Sequence, residues 1–567
     1  MSSNQRPHTN VGMGTLREAD EDHHTVNEGW SFFQQYLPDN SIVDSEEFSQ
    51  SLDMLNTSGP YSCTLPAMPD RFLDPSSLRL KGTCKIVYVK NNVKQENLPK
   101  KDAYYSPHAN AKETYKIKVE QVVADKDTNH GKEPNDLVSI EDAIFPFTVA
   151  TADKKTSTTD FFKLSIVPDN TKEENATHVV PVNLMPQALW KDIEIKLNSR
   201  TVTKNANLEY AHKAYLETLM TYGEDALHTH LQSEMWHPDT PEEISDPNYE
   251  KTYDTTKTFE EKNLKYCRDN TFSFNMQIHT EFNSINGFIM DQMPYTFTFV
   301  RNEPSFFLRT KENDTTCAVG QFYTIEFTEL KLVGKYVKPS AEVMKLYKAH
   351  LASEQPFLYQ TTRTEILKNQ AMKGQSQFDW DRIFPSDHLP DTIYCCMLDM
   401  DAKSGAWNKD PFNFKHYDVS SIHLRINNRN IPTEPITMKW KDDDDKNENY
   451  MLAYKQLYEN CSIKLNNVGL SITPERFKAG STIFAWDLNH DSCGGAHSNH
   501  GNLIGTASIH MLYKKPLPEN ICIIVAGVNR DYLAINNERF PNVLTSYGIE
   551  QYYTNLGLPV PKFKQFL

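Results

Sequence analysis

Short runs of alternating apolar and polar residues dominate the chain from Tyr61 onward. Strict alternation stands out at Ile193-Glu-Ile195-Lys-Leu197, Tyr295-Thr-Phe297-Thr-Phe299 and Tyr323-Thr-Ile325-Glu-Phe327. A period of two with one apolar face marks a half-buried strand. Runs rich in β-branched and aromatic residues at 83–89, 114–119 and 161–166 add further strands. Many short strands separated by polar turns predict a sandwich or barrel, so the fold class is all-β with a few helices. Three helices are predicted. Asn207 can cap one that places Leu208, Ala211, Tyr215, Leu219 and Tyr222 on one face before Gly223, within a helical insertion near 207–235. Ser340 opens a second, at 340–352, with Val343, Tyr347 and Leu351 in register, and a third covers 447–460.

The pattern repeats. Ile193-Glu-Ile-Lys-Leu-Asn198-Ser-Arg200-Thr-Val202 matches Ile422-His-Leu-Arg-Ile-Asn427-Asn-Arg429-Asn-Ile431 position by position. Each reads as a strand, a tight turn at Asn-x and a returning strand. A helix bearing Ala-Tyr follows in both copies, at Ala214-Tyr215 and Ala453-Tyr454. A looser third correspondence sets Met293–Arg301 against Leu517–Val525. Three matches in one order point to a duplicated β domain. The expected division is an acidic, flexible arm at 1–57, a first β domain at 58–312, a second at 313–548, and a tail at 549–567. The junction is placed in the polar stretch Lys311-Glu-Asn-Asp-Thr-Thr.

Composition narrows the classes of function. Of 567 residues, 59 are basic and 75 acidic, a net charge of −16, which is the wrong balance for coating nucleic acid. Residues 1–60 carry two Arg against ten Asp or Glu, so about half of the excess sits in the arm. The longest apolar run, Ile521 to Val528, is far short of a membrane helix. The start shows neither a signal peptide nor a myristoylation motif, so a secreted product is not expected. Nine scattered cysteines read as free thiols in a reducing compartment.

Enzyme-like constellations are weak. The segment Asp487-Leu-Asn-His490-Asp-Ser-Cys493-Gly-Gly-Ala-His497-Ser-Asn-His500 offers His and Cys ligands suited to zinc. Its spacing matches no familiar zinc site, and its Gly-Gly suits a loop between two strands. Asp399-Met-Asp401-Ala-Lys403-Ser-Gly405 opens like a calcium loop, but Lys403 occupies a ligand position and no bidentate Glu follows. Phosphate-binding, zincin, serine-hydrolase and dinucleotide motifs are all missing from the sequence. Cys395-Cys396 lie in a strand-like run and read as buried thiols. The Asp442–Asp445 run sits in a polar insert and reads as a solvated loop. No catalytic, cofactor-binding or metal residue is assigned.

The order of several motifs resembles the double jelly-roll major capsid proteins of Polinton (Maverick) elements and adintoviruses, within the adenovirus and tailless-phage capsid lineage. In the first half these are Pro181-Val-Asn-Leu-Met-Pro186, Leu189-Trp-Lys-Asp-Ile-Glu-Ile-Lys-Leu-Asn198 and Tyr210–Leu219 with Tyr222-Gly223. In the second they are Asp410-Pro-Phe-Asn-Phe-Lys-His416-Tyr-Asp418, Asn430–Pro435, Phe484–Leu488, Gly501-Asn-Leu503 and Leu517-Pro518. The insert at 439–447 and the segment from Asn91 to Asp136 depart from the family pattern. The resemblance implies two tandem eight-stranded jelly rolls per chain and a pseudo-hexameric homotrimer. It further implies trimer–trimer contacts in an icosahedral shell around double-stranded DNA, with a penton or minor capsid protein at the vertices. A virion location follows, with no enzyme activity, no cofactor, no specific nucleic-acid binding and no membrane span. The alternatives are a β-rich metal-dependent enzyme or carbohydrate-binding protein using the 487–500 loop, or a minor capsid protein of the same particle.

Overall fold

The computed structural model describes residues 41–54, 59–90, 93–95, 115–122, 144–148, 159–168, 179–203, 208–267, 271–310, 321–440, 448–461, 469–488 and 504–560. Two sandwiches of eight strands each, with Val93–Gln95 and Pro541–Thr545 as short additional strands, are built among these residues. The first uses β1 (Ile42–Ser51), β2 (Tyr61–Leu65), β3 (Phe72–Lys90), β4 (Trp190–Leu197), β5 (Arg200–Thr201), β6 (Thr271–Gln277), β7 (Tyr295–Arg301) and β8 (Gln321–Pro339). The second uses β9 (Phe357–Ala371), β10 (Gln377–Trp380), β11 (Thr392–Asp399), β12 (Val419–Ile426), β13 (Arg429–Thr437), β14 (Ile483–Asp487), β15 (Ala507–Tyr513) and β16 (Ile521–Ile535).

Strand order makes the duplication explicit. The first sandwich pairs β1-β8-β3-β6 against β5-β4-β7-β2, and the second pairs β9-β16-β11-β14 against β13-β12-β15-β10. Adding eight to each strand number of the first half reproduces the second. Eight antiparallel strands in two four-stranded sheets with this interleaved order form a jelly roll. Alternation supplies the cores: Ile193, Ile195 and Leu197 of β4 face Phe297 and Phe299 of β7, all buried. Trp190 anchors that core between Tyr61, Phe299 and Phe327, and Trp486 is equally buried in the second.

The repeated Asn-x motif does what its spacing predicts. Asn198 and Ser199 (φ 44° and 67°) join β4 to β5, and Asn427 and Asn428 (φ 49° and 65°) join β12 to β13. Both central residues in the left-handed region define the two-residue hairpin turn that matches strand twist. The third correspondence is corrected. Tyr295–Arg301 is β7, whose counterpart is β15 at Ala507–Tyr513, whereas the segment after Leu517 becomes β16, counterpart of β8. Similar apolar runs occupy both strands, so composition alone aligned the wrong pair.

The limits expected at 57/58 and 312/313 are also corrected. Ile42–Ser51, placed in the arm, pairs antiparallel with Lys331–Pro339 as the edge strand of the first roll. Residues 321–339, placed in the second domain, pair with β3 from Lys90 to Phe72. Hydrogen bonding therefore carries the first roll to Pro339. Residues 1–40 and the junction at 311–320 lie outside the described residues.

Each expected helix is found with adjusted ends. Helix α1 spans Tyr210–Thr221 and α3 spans Met451–Asn460. Helix α2 spans Ala341–Ala352, with the Ser340 hydroxyl accepting from the Val343 amide. Leu208 adopts φ 61° and Glu209 takes the N-cap position of α1, so Asn207 is not the cap. α3 starts only after Asn449, which exchanges backbone hydrogen bonds with Lys439. Both α1 and α3 lie between the fifth and sixth strands of their rolls. In the long connection after β3, Tyr115–Val122, Thr159–Pro168 and Ile144–Thr148 form a separate antiparallel sheet.

Candidate functional site: the joint between the two rolls

The connection from β5 to β6 in the first roll carries α1 and several shorter helices, and these meet the second roll. Thr240 starts one such helix with a reciprocal capping box to Glu243. Just before it lies Asp239, whose side chain is 1% exposed. Lys262 donates to Asp239 Oδ1 at 2.6 Å, Arg309 donates to Oδ2 at 2.9 Å, and the Tyr249 hydroxyl donates to the same oxygen. Arg309 also lies over the Tyr253 ring at 3.5 Å and donates to the backbone oxygen of Asn408 in the second roll. Burial opposes ionisation of Asp239, but Lys262 and Arg309 more than offset it and hold the carboxyl at about 2. Asp410, 4.0 Å from Arg309, moves the other way, pushed up by burial that Arg309 only partly offsets.

Two further carboxylates tie α1 to β9. Glu209 accepts from His212 Nδ1 at 2.8 Å, from Lys368 at 2.6 Å and from Lys403 at 2.9 Å, the two lysines belonging to the second roll. Glu217 accepts from Thr364 of β9 at 2.7 Å and contacts His279 Nδ1 at 3.0 Å. Burial disfavours both charges, yet His212, Lys368 and Lys403 hold Glu209, and Lys213 with His279 and Thr364 hold Glu217, below the ordinary range. Stacking completes the joint: the Phe412 ring lies 4.2 Å from Tyr215 at 4°. Asn183 donates to the Tyr215 hydroxyl and accepts from the His237 amide. The segments 181–186, 210–219 and 410–418, which carried the family resemblance, thus converge in one place.

Among the described residues, candidate chemistry from the sequence is not gathered into a site. Asp399 caps the helix Met400–Ser404 and binds Lys409 at 2.5 Å, so the calcium-like segment is a capped turn. Cys395 and Cys396 are buried in β11, where desolvation raises both thiols far above their ordinary value. All seven described cysteines are buried. Residues 489–503 and 441–447 lie outside the described residues, so of the His/Cys loop only Asp487 and Leu488 are placed, at the end of β14. Among the described residues no three His, Cys, Asp or Glu side chains are grouped to hold a metal, and no helix is long and apolar enough to cross a membrane.

Comparison with solved structures decides the architecture. A chain of the Sputnik virophage structure aligns over 100% of both chains with a TM-score of 0.53 at 10% identity. The chain is a double jelly roll. The Faustovirus major capsid protein aligns over 90% of this chain and 92% of its own (TM-score 0.44, 9% identity). The mavirus major capsid protein aligns over 100% and 99% (TM-score 0.40, 8% identity). In sequence, the double jelly roll is similar to the uncharacterized protein F54H12.2 of Caenorhabditis elegans, 22% identical over 312 residues, 54% of this chain and 68% of that protein. No protein-family model matches.

Asp239, Lys262 and Arg309 were not singled out by sequence reasoning. The one available signal was a lone Arg in an otherwise apolar stretch, Phe306-Phe-Leu-Arg309. A charged residue there must meet a buried counter-charge, but nothing in the sequence says that Asp239 supplies it.

Proposed function

We propose that this double jelly roll is a major capsid protein, whose trimers tile an icosahedral shell enclosing a double-stranded DNA genome. The observation that carries this is the duplication of one eight-stranded order within a single chain. The two rolls are tied to each other by Glu209 with Lys368 and Lys403, by Glu217 with Thr364, and by Arg309 with the backbone oxygen of Asn408. Two equivalent rolls per chain give three chains six similar units, and heterologous contacts among six units close into a ring. The end-to-end likeness to a virophage chain supports the same reading. A minor capsid protein would need only one roll. The Polinton and adintovirus lineage, a penton or minor partner at the vertices, and a virion location are the finer parts of the proposal. They rest on the motif order of the sequence.

Negative-stain imaging of the purified chain tests it. Six-lobed particles with threefold symmetry are expected. Isolated two-lobed particles at micromolar concentration would overturn the assignment.

A further inference from the structure

The joint within one chain shows how a roll grips its neighbour. Helix α1 of the first roll lies against β9, the first strand of the second roll, through Glu217–Thr364 and Glu209–Lys368. The duplication gives each element a counterpart: α3 for α1, and β1 for β9. Among the described residues these counterparts keep exposed positions, although Ala453 and Leu457 of α3 are buried. The repeated Ala-Tyr sets Ala453-Tyr454 on Ala214-Tyr215, which aligns Met451 and Leu452 with His212 and Lys213. His212 and Lys213 are buried in the joint, whereas Met451 is 51% and Leu452 64% exposed. In the same way β9 is partly buried along its length, while nine of the ten residues of β1 are exposed, Val43 at 69%.

We propose that α3 of one chain packs on β1 of a second copy, repeating between chains the α1–β9 contact made within each chain. This deepens the trimer proposed above and rests on it. Charge agrees with the assignment. α1 presents Glu209 to Lys368 and Glu217 to Thr364 of β9, whereas β1 carries Asp44 and Glu46, both paired with Arg71, and Glu47, and α3 carries Lys455 paired with its own Glu459. Docking α1 on β1 would set carboxylates against carboxylates, whereas α3, with one Lys and one Glu, is neutral, which favours the head-to-tail order that a closed ring requires. Met451 and Leu452 supply the apolar contact that an obligate interface buries at its centre.

Oxidative footprinting of the full chain, with its mass measured in the same buffer, tests this. Met372 is 52% exposed in the single chain, nearly the same as Met451, and serves as the internal reference. In a trimer, Met451 is expected to oxidise about tenfold or more slowly than Met372, because exposure governs sulfoxide formation. Leu452→Asp is expected to yield folded monomers, while Met372→Asp stays trimeric. Equal oxidation rates in a chain that sediments as a trimer would overturn this interface and leave the capsid reading standing. A monomeric wild-type chain would overturn both. Should Leu452→Asp fail to fold, the wild-type footprint decides alone.

Discussion

Asp239 keeps its charge where water cannot reach it, because Lys262, Arg309 and the Tyr249 hydroxyl replace the lost hydration. Removing the carboxylate strands two buried cations. Asp239→Asn should therefore cost about 3–5 kcal/mol in denaturant unfolding, against under ~1 kcal/mol for an exposed pair such as Lys455–Glu459. A loss below ~1 kcal/mol for Asp239→Asn would show that the joint is not an ion-pair lock. The pH dependence has a definite sign. Asp239, Glu209 and Glu217 are all depressed in the folded chain. Their stabilisation is complete above the unfolded carboxylate range near ~4 and is lost as pH falls through the folded values. His416, stacked on Trp440 at 4.1 Å, is held down to about 4 by burial and by Lys478. Its neutral form adds stability present above ~6.5 and lost on acidification, in the same direction. Asp410 opposes them, since its raised value favours the folded state at low pH. The melting temperature should fall steadily below about pH 6, and Asp239→Asn should flatten the part of that slope below ~4.

At the scale of elements, the turns following β4 and β12 place both central residues at positive φ. Asn tolerates that conformation and a β-branched residue does not. Asn428→Val should cost about 1–2 kcal/mol, whereas Asn428→Gly should be neutral or slightly stabilising, read as shifts in thermal midpoint. Equal shifts for the two variants would contradict the turn assignment. Strand β1 is seated differently. Phe48 covers Gly334 of β8, where an added Cβ would lie 2.7 Å from the Phe48 ring and 2.7 Å from Leu78. Gly334→Val should therefore loosen β1 and create a protease-sensitive site within 42–51, detected by limited proteolysis and mass spectrometry. The same strand shows why part of the fold was illegible. β4 and β7 declare themselves because one face of each is buried, but β1 is exposed except at Phe48 and held by backbone pairing with β8. A strand with a single half-buried side chain leaves no periodic signal. The hairpin turns were legible for the opposite reason, since positive φ at two successive residues demands a narrow residue choice.

At the scale of the whole molecule, duplication was readable from one hairpin and one helix, because those segments bear the same local constraints in both copies. The joint was not, since Asp239, Lys262, Arg309 and Asn408 are brought together only by tertiary folding. The two rolls are equivalent in strand order but not in what covers them. β9 is capped by the first roll of its own chain, while β1 and α3 have no counterpart covering within the described part of one chain. A ring of three chains removes that asymmetry, and a single chain cannot. The most direct measurement of this is the mass of the purified chain by sedimentation equilibrium at micromolar concentration. A species near three times the 65.3 kDa of the chain is predicted. A well-folded species that stays at 65.3 kDa across that range would contradict it.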